Sequence, residues 1–397
     1  MNSSDKFLFS LIGNALFDAE LDPNAEYSWQ EVFAELTSQA AAAIPADKVG
    51  QLRLTGEERE QYSVYVISQV MNWNRVMYTQ QMITDALKEA SVPAAVLKGA
   101  AAGIYYPRPE YRCMGDIDLI VLPEDFSRAV EVLKKSGCRQ QNSKNERHEI
   151  FIIDGVHIEL HHYFSTLQDS PVFAKYLDER IYNGLSHVQY GEIEGIRFPM
   201  LPEVENGLVL LQHISQHLET GLGLRQIMDW MLYVNTVLDD GLWEREFEKA
   251  AERSGLKTLA VVTTRMCRMF LGLPGTYTWC EDADPFLCRD LMTYVMNHGN
   301  FGRKDTAGST TKFLLNSFRN PIAFLRMAQR CGCATWEILD QYSFLRPFAW
   351  VHQIVRWMRR GSRRKSFLPS LFRDIRKAGA EDRFLDKLGV RRGKNLR

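Results

Sequence analysis

The change in hydrophobic spacing along the chain constrains its fold more than any other feature of the sequence. Residues 58–90 carry apolar side chains at helical spacing with no internal Gly or Pro. Residues 94–97 and 116–122 are instead short apolar runs of strand length, and after Pro202 the helical spacing returns. We therefore expect an α+β fold, in which a small mixed-sheet core lies between an N-terminal helical segment and a larger C-terminal helical region.

A hairpin signal within the core helps to divide the chain. Asp154-Gly155 lies between two further runs of strand length, and this dipeptide is typical of a tight turn between antiparallel strands. Four segments are predicted from these changes. They are an N-terminal helical segment (1–92), an α/β core (93–200), a helical domain (201–355) and a basic C-terminal tail (356–397).

The composition excludes several classes of protein. The 397 residues include 48 Lys and Arg against 49 Asp and Glu, and no run of about 18 apolar residues could span a bilayer. The first residues show neither a basic leader nor a small-residue cleavage site. Seven cysteines without paired C-x-x-C motifs predict reduced thiols rather than a disulfide framework. The expected location is the cytoplasm.

The near-neutral net charge conceals an uneven distribution. Residues 356–397 contain 15 Lys and Arg against 4 Asp and Glu, a formal charge of +11, which leaves −12 for residues 1–355. An amphipathic stretch at 344–358 leads directly into an Arg-rich cluster at 359–365. This arrangement is typical of an arm that binds a polyanion, either nucleic acid or an anionic membrane surface to which the protein would be peripheral. The alternative is a solvated end that packs on the acidic body.

Two acids at the head of a predicted strand form the strongest candidate site. Asp116 and Asp118 occupy alternate positions, so both carboxylates point to the same side of an extended chain. Neighbouring carboxylates are stabilised by a cation between them, and Mg²⁺ prefers such oxygen ligands together with substrate phosphates. Glu159, in the neighbouring predicted strand, could supply a third carboxylate. The alternative is that the two acids are ordinary solvated residues at a strand end.

Basic and glycine residues upstream favour the functional interpretation. Lys98 and Gly99 follow a predicted strand and precede a predicted helix, where backbone N–H groups can bind phosphate oxygens. Arg112, four residues before Asp116, supplies a second cation with forked donors. The order Lys-Gly, Arg, Asp-x-Asp within about 20 residues favours phosphate chemistry more strongly than any one of these elements alone.

These motifs resemble a known family. They read Val-Leu-Lys-Gly-Ala at 96–100, Tyr-Arg-Cys-Met-Gly-Asp-Ile-Asp-Leu-Ile-Val at 111–121 and Ile-Glu-Leu-His at 158–161. The set is similar to the uncharacterised nucleotidyltransferase family of the DNA polymerase β-like superfamily. The resemblance covers roughly residues 60–275, because the family also carries a helical region like that at 213–229.

The resemblance implies a mixed-sheet nucleotidyltransferase core and a role for each matching position. Asp116 and Asp118 would hold the metal and Glu159 would complete the site. The phosphate-binding or nucleotide-binding positions would be Lys98, Gly99, Ala100, Arg112 and Arg225. Position 100 is Ala, where most of the superfamily has a hydroxyl residue or glycine, so one contact to phosphate or metal is missing.

Three functions follow as hypotheses. The first is a Mg²⁺-dependent enzyme, with Mn²⁺ as an alternative cofactor, that moves a nucleoside monophosphate from an NTP to the hydroxyl or phosphate of an unknown acceptor. The second is a nucleotide-binding or nucleic-acid-binding module that has lost turnover. The third is a toxin-like nucleotidyltransferase that acts on RNA, with the basic tail on its phosphates.

Several histidines and one arginine can each be interpreted in two ways. His213 and His217 share a helix face and could bind a metal, although helix packing or a phosphate contact explains them as well. Arg225 could form an i, i+4 salt bridge with Asp229 or bind a base or phosphate in the cleft. The histidines that crowd the hairpin could form a shared metal site or simply line a polar cleft. They are His148, His157, His161 and His162.

Overall fold

A computed structural model describes most of the chain as two compact units. The described residues are 2–141, 148–165 and 171–300, followed by 325, 328–329, 332–333, 336–340, 342–361 and 383–390. The first unit comprises residues 1–304 and 387–397, and the second comprises residues 305–386. The candidate site lies entirely within the first unit. The four segments predicted from the sequence stay a prediction.

Helices form the N-terminal part of the first unit. They are α1 (Ser3–Phe17), α2 (Trp29–Ser38) and α3 (Gly56–Glu89). The 34-residue α3 confirms the helix predicted at 58–90, and it begins with a capping box in which Thr55 and Glu58 bind each other's backbone N–H groups. Five of its buried side chains, including Trp73 and Met77, belong to the hydrophobic core beneath the sheet.

Within the described residues, seven strands form one mixed sheet. They are β1 (Ala94–Leu97), β2 (Ile117–Val121), β3 (Arg139–Gln141), β4 (His148–Ile153), β5 (Val156–His161), β6 (Gln189–Ile193) and β7 (Ile196–Met200). Their order is β3-β4-β5-β2-β1-β7-β6. The pairs β2–β5 and β1–β7 are parallel, while the other neighbours are antiparallel. The sheet and its surrounding helices confirm the predicted α+β class.

Two tight turns close the antiparallel hairpins. Asp154 and Gly155 have φ values of 47° and 75°, and they join β4 to β5 as the sequence predicts. Glu194 and Gly195, with φ values of 50° and 80°, join β6 to β7 in the same way. The second hairpin was not predicted, because Glu is an unusual residue in the first position of such a turn.

Shorter helices connect the strands. They are α4 (Gly99–Gly103), α5 (Phe126–Lys135) and α6 (Pro171–Leu185). A 3₁₀ turn at Pro123–Asp125 precedes α5. Gly137 follows α5 with a φ of 87°, as expected for a glycine that ends a helix.

The two faces of β2 have different roles. Ile117, Leu119 and Val121 belong to the hydrophobic core that also contains α3 side chains. Asp118 lies between them in sequence and therefore points to the opposite face of the sheet. This face carries the candidate site.

The C-terminal helices of the first unit complete the fold. They are α7 (Glu203–Thr220), α8 (Leu224–Thr236), α9 (Asp240–Leu242), α10 (Glu248–Arg253), α11 (Lys257–Phe270) and α12 (Pro285–His298). A π-helical turn, Trp243–Phe247, joins α9 to α10. The helical spacing after Pro202 is thus confirmed.

The second unit contains one longer described helix, α13 (Ala349–Gly361), after a 3₁₀ turn at Ser343–Phe348. The amphipathic stretch at 344–358 becomes α-helical only from Ala349, because Pro347 lies in that turn. Among the described residues of the whole chain, no helix is long and apolar enough to cross a membrane.

Candidate active site

Three carboxylates converge on the face of the sheet opposite α3. Asp116 lies immediately before β2, Asp118 lies on β2, and Glu159 lies on the parallel neighbour β5. Asp118 and Glu159 are register partners, so their side chains emerge side by side. One carboxylate oxygen from each of the three residues lies within 4.8 Å of the others. The structure therefore brings together the three acids that the sequence proposed as metal ligands.

Lys98 lies beside these carboxylates. It follows β1, whose last residue, Leu97, is the register partner of Asp118. Its Nζ lies 2.7 Å from Asp118 Oδ1, and both side chains are largely buried. The backbone at Lys98 has a φ of 53° and a ψ of −133°, a conformation that costs free energy for any residue other than glycine. The fold therefore keeps Lys98 in a strained backbone conformation beside the carboxylates.

His161 also belongs to the site, although the sequence pointed to it only as one of the hairpin histidines. Its Nε2 lies 3.1 Å from Asp118 Oδ1 and 3.4 Å from Glu159 Oε2. The signal was present in the sequence, because Glu159 and His161 occupy alternate positions of one strand and so share a face. The imidazole thus bridges two of the three acids.

The charges at the site are strongly coupled. Burial opposes ionisation of Asp118, but the charge of Lys98 and the hydrogen bond from His161 outweigh it and lower the pKa of that carboxyl. The pKa of Asp116 is raised, first by the negative charge of Asp118 and then by burial. The hydrogen bond from His161 lowers the pKa of Glu159. Additional positive charge would therefore favour ionisation of Asp116.

The two basic groups at the site, Lys98 and His161, both have raised pKa values. Burial disfavours the charged form of Lys98, but Asp118 and Asp116 outweigh it and raise the pKa of the ammonium. Burial also opposes the imidazolium of His161, while hydrogen bonds to Asp118 and Glu159 raise its pKa. The chain itself thus supplies the positive charges that stabilise the ionised carboxylates of the site.

Gly99 and Ala100 begin α4 next to this cluster. Gly99 has a φ of 38°, which a residue with a side chain adopts only with strain. The Ala100 side chain is buried in the hydrophobic core. A ligand in the site could therefore meet the backbone of Ala100 but not its methyl group.

Arg112 is bound to Asp229 of α8. Its Nε and Nη2 donate to Asp229 Oδ1 and Oδ2, each over 2.8 Å, and both side chains are almost fully buried. The Tyr106 hydroxyl donates a third hydrogen bond to Asp229 Oδ1 over 2.8 Å. Burial disfavours the guanidinium, but the Asp229 charge outweighs it and raises the pKa of Arg112. This buried pair joins the core to α8, and the phosphate role predicted for Arg112 stays a prediction.

A cavity of about 170 Å³ connects the cluster to α7 and α8. Its lining includes Arg225, whose Nη1 donates to the carbonyl oxygen of Cys113 over 3.3 Å. The full lining is Lys98, Gly99, Arg112, Gly115, Asp116, Asp118, Glu159, His213, Gln216, His217 and Arg225. Each of the predicted site residues except Ala100 thus lines one cavity.

The α7 histidines face this cavity as neutral rings. His213 and His217 lie with their ring centroids 4.5 Å apart. Burial, followed by the charge of Lys98, lowers the pKa of His217 to about 4 and that of His213 well below its usual value. Neither imidazole carries charge near neutral pH, so they add polar contacts without repelling a cation.

The structure separates the histidines of the hairpin. His148 lies beside His161, with ring centroids 4.9 Å apart. His162 instead packs against Phe126, with ring centroids 4.1 Å apart. His157 is exposed. Only part of the histidine group therefore belongs to the candidate site.

Comparisons with solved structures give weak similarities. The chain is similar to ANT(2″)-Ia in complex with adenylyl-2″-tobramycin, at 14% identity and a TM-score of 0.32, over 46% of this chain and 97% of that chain. A solution structure of the antibiotic-resistance factor ANT(2″)-Ia is 12% identical, with a TM-score of 0.30, over 53% of this chain and 95% of that chain. An antigenic nucleotidyltransferase-like protein from Paracoccidioides brasiliensis is 12% identical, with a TM-score of 0.32, over 50% of this chain and 93% of that chain. Similarities this weak indicate nothing about the substrate.

The family is shown by the sequence itself. No curated protein matches the chain. Residues 29–272, more than half of the chain, match the family model described as an uncharacterised nucleotidyltransferase. That range includes α3, the whole sheet, the carboxylate cluster and the helices α7 and α8. The chain therefore belongs to the uncharacterised nucleotidyltransferase family, and the protein is a nucleotidyltransferase.

Proposed function

We propose that the protein transfers a nucleoside monophosphate from an NTP to the hydroxyl or phosphate of an acceptor and releases pyrophosphate, with Mg²⁺ as its cofactor. The observation that supports this proposal is the convergence of Asp116, Asp118 and Glu159 within 4.8 Å beside Lys98. Carboxylate oxygens are the ligands that Mg²⁺ and Mn²⁺ prefer, and the raised pKa of Asp116 indicates excess negative charge. The three residues therefore fit a hard divalent cation.

In this proposal the three carboxylates hold the cation and the chain supplies the remaining contacts. When bound, the cation neutralises phosphate charge and polarises the reacting phosphoryl group. Lys98, kept protonated by its acidic neighbours, lies where it could contact a phosphate oxygen. Gly99 and Arg225 line the same cavity. These groups would orient the triphosphate.

The proposed reaction balances with one proton transfer. The acceptor oxygen bonds to the α-phosphorus, the bond between that phosphorus and the bridging oxygen breaks, and pyrophosphate leaves. Glu159 takes the acceptor proton at a carboxylate oxygen. It is the more exposed of the two strand acids, with 27% of its side chain accessible against 5% for Asp118. Its hydrogen bond with His161 keeps it ionised before the transfer.

The size of the cavity limits what it can enclose. Pockets that bury a whole drug-sized ligand have volumes of roughly 300–1,000 Å³. The cavity here measures about 170 Å³, so it fits the phosphates and cations rather than a complete nucleotide with its acceptor. The base and the acceptor would lie outside it, and their identity does not follow from the cavity.

The other hypotheses have less support. Loss of turnover rests on Ala100, whose side chain lies in the core and leaves the carboxylates intact. The polyanion partner, and with it the RNA hypothesis, rests on the tail at 356–397, most of which lies outside the described residues. Both hypotheses, like the cytoplasmic location, remain predictions from the sequence.

Pyrophosphate release with a panel of NTPs and acceptors tests the proposal. Loss of a residue that only supports a metal ligand lowers metal affinity or activity by about 10–100-fold. Because Asp118 is itself a proposed ligand, Asp118→Asn should lower the Mg²⁺-dependent rate by about 100-fold or more. Asp154→Asn is the matched control, because it makes the same chemical change in a hairpin turn that tolerates Asn. Equal rates in the two variants would contradict the proposal.

A further inference from the structure

A second group of ligand atoms adjoins the carboxylate cluster. His148 lies on β4, while Glu159 and His161 lie on β5. His148 and His161 are register partners, and Glu159 occupies the alternate position on the face that carries His161. One ligand atom from each of the three residues lies within 4.8 Å of the others. Two imidazoles and one carboxylate therefore converge on one point.

The dimensions of this group suit a tetrahedral metal ion. Zn²⁺ binds imidazole nitrogen and carboxylate oxygen at about 2.0–2.1 Å, which places two tetrahedral ligands roughly 3.3–3.4 Å apart. His161 Nε2 and Glu159 Oε2 are already 3.4 Å apart. The His148 ring, whose centroid is 4.9 Å from that of His161, lies across the strand pair from both. All three ligand atoms lie within 4.8 Å of one another, so the remaining distances must shorten by at most about 1.5 Å to match tetrahedral ligands.

The ligand types distinguish this group from the carboxylate cluster. Imidazole nitrogen favours Zn²⁺ and similar transition metals, whereas Mg²⁺ favours oxygen ligands alone. His148 and His161 each offer one ring nitrogen to this group, and Glu159 offers one carboxylate oxygen. Lys98, the cation beside Asp118, is paired with that carboxylate over 2.7 Å.

We propose that His148, Glu159 and His161 bind Zn²⁺ or a similar transition-metal ion, and that this ion inhibits nucleotidyl transfer. The inhibitory part rests on the proposed function, because Glu159 belongs to both groups of ligand atoms. A Glu159 carboxylate bound to Zn²⁺ is withdrawn from the Mg²⁺ cluster and cannot take the acceptor proton. The same ion also draws His161 away from Asp118. Three protein ligands leave a fourth position for water.

The hairpin gives this site its rigidity. β4 and β5 pair over six residues each and are closed by the Asp154-Gly155 turn. The ligands thus come from strands whose separation is fixed, which reduces the cost of ordering them around an ion. His157 lies on the same strand and face as Glu159, but it is exposed and outside the cluster. It is therefore the matched control for the loss of a histidine.

Zinc binding tests the site without reference to activity. The full chain, freed of metal with EDTA, is titrated with Zn²⁺ in competition with a chromophoric chelator. We expect wild-type protein and His157→Asn to bind one Zn²⁺ with similar affinity, and His148→Asn to bind it at least tenfold more weakly. Asp116→Asn should retain binding, because Asp116 belongs only to the carboxylate cluster. Unchanged zinc affinity in His148→Asn overturns the proposal and assigns the zinc to other ligands such as thiols.

The inhibitory role has its own measurement. Zn²⁺ should slow Mg²⁺-dependent pyrophosphate release by wild-type protein and by His157→Asn, whereas His148→Asn should resist inhibition, with each rate expressed as a fraction of the same protein's rate without Zn²⁺. Equal inhibition of all three proteins overturns the inhibitory role. If no pyrophosphate release is found in any protein, the proposed function fails, while the chelator titration still decides the zinc site. Equal melting temperatures of the two histidine variants exclude misfolding as the cause.

Discussion

The buried pair of Arg112 and Asp229 permits a quantitative test of how the site is built. The substitution Asp229→Asn keeps the shape of the side chain and removes its charge. The guanidinium of Arg112, only 2% exposed, then loses a carboxylate that accepts two 2.8 Å hydrogen bonds from it. Removing one partner of a buried ion pair costs about 3–5 kcal/mol. We expect the free energy of unfolding to fall by that amount, with Arg112→Met causing a similar loss.

The double variant isolates the contribution of the pair. Combining the two single substitutions, Arg112→Met with Asp229→Asn, removes the uncompensated charge and keeps an oxygen that accepts the hydrogen bond from the Tyr106 hydroxyl. The double variant should therefore be more stable than either single variant. Urea unfolding followed by tryptophan fluorescence measures all four proteins. Arg108→Met is the matched control, because Arg108 is about half exposed in its pair with Asp47 and should contribute less than about 1 kcal/mol.

One pattern would refute this reasoning. If Arg112→Met costs no more stability than Arg108→Met but weakens nucleotide binding, Arg112 is available to phosphate and the pair with Asp229 is not structural. The sequence prediction of a phosphate-binding Arg112 would then be correct. If Arg112→Met lowers both stability and nucleotide binding while Asp229→Asn lowers stability alone, the arginine serves both purposes.

Three further predictions concern the cavity. Lys98→Gln removes the ammonium 2.7 Å from Asp118, so Mg²⁺ should raise the melting temperature of this variant more than that of wild type. An equal rise in both proteins would show that the Lys98 ammonium does not neutralise the acids in the absence of a metal. The pKa of His217 is about 4 in the folded chain, below its usual 6.5, so the unfolded chain binds the extra proton. The neutral His217 therefore stabilises the folded chain above pH 6.5, and about 3 kcal/mol of this stability is lost as the pH falls to 4. In urea unfolding at pH 7 and pH 4.5, His217→Gln should lose less stability between the two pH values than wild type does. An equal loss in both proteins would exclude His217 as the source of the pH dependence. Gly99→Ala should lower the free energy of unfolding by about 1–2 kcal/mol, because Gly99 has a φ of 38°. Gly115→Ala should lower it by less in the same assay, because the added methyl group meets open space. Equal losses of stability would show that the backbone at Gly99 is unstrained.

Local patterns in the sequence were sufficient for most of the core. The spacing of apolar residues predicted α3, and Asp154-Gly155 predicted the β4–β5 hairpin. The β6–β7 hairpin was missed because Glu194-Gly195 lacks the residue usual at its first position. Short runs of alternating polar and apolar residues on both sides of that turn were therefore not recognised as strands. The errors lie where tertiary pairing, rather than local preference, decides the structure.

The site was only partly predictable for a related reason. The alternation of Asp116 and Asp118 fixes their common direction locally, and the parallel pairing of β2 with β5 then brings Glu159 to them. The partner of Arg112 could not be predicted in this way, because Asp229 lies 117 positions away on another element. Such long-range pairs depend on how helices dock on the sheet, which periodicity does not encode.

The most direct test of the central claim is the effect of Mg²⁺ on nucleotide binding. A fluorescent, non-hydrolysable NTP is titrated with wild-type protein, Asp118→Asn and Asp154→Asn, each with Mg²⁺ and with EDTA, and anisotropy reports the affinity. If Asp116, Asp118 and Glu159 hold the cation that binds the triphosphate, Mg²⁺ should strengthen binding to wild type and to Asp154→Asn but not to Asp118→Asn. Binding to wild type that is equally tight in Mg²⁺ and in EDTA would contradict the claim and identify a nucleotide-binding module in its place.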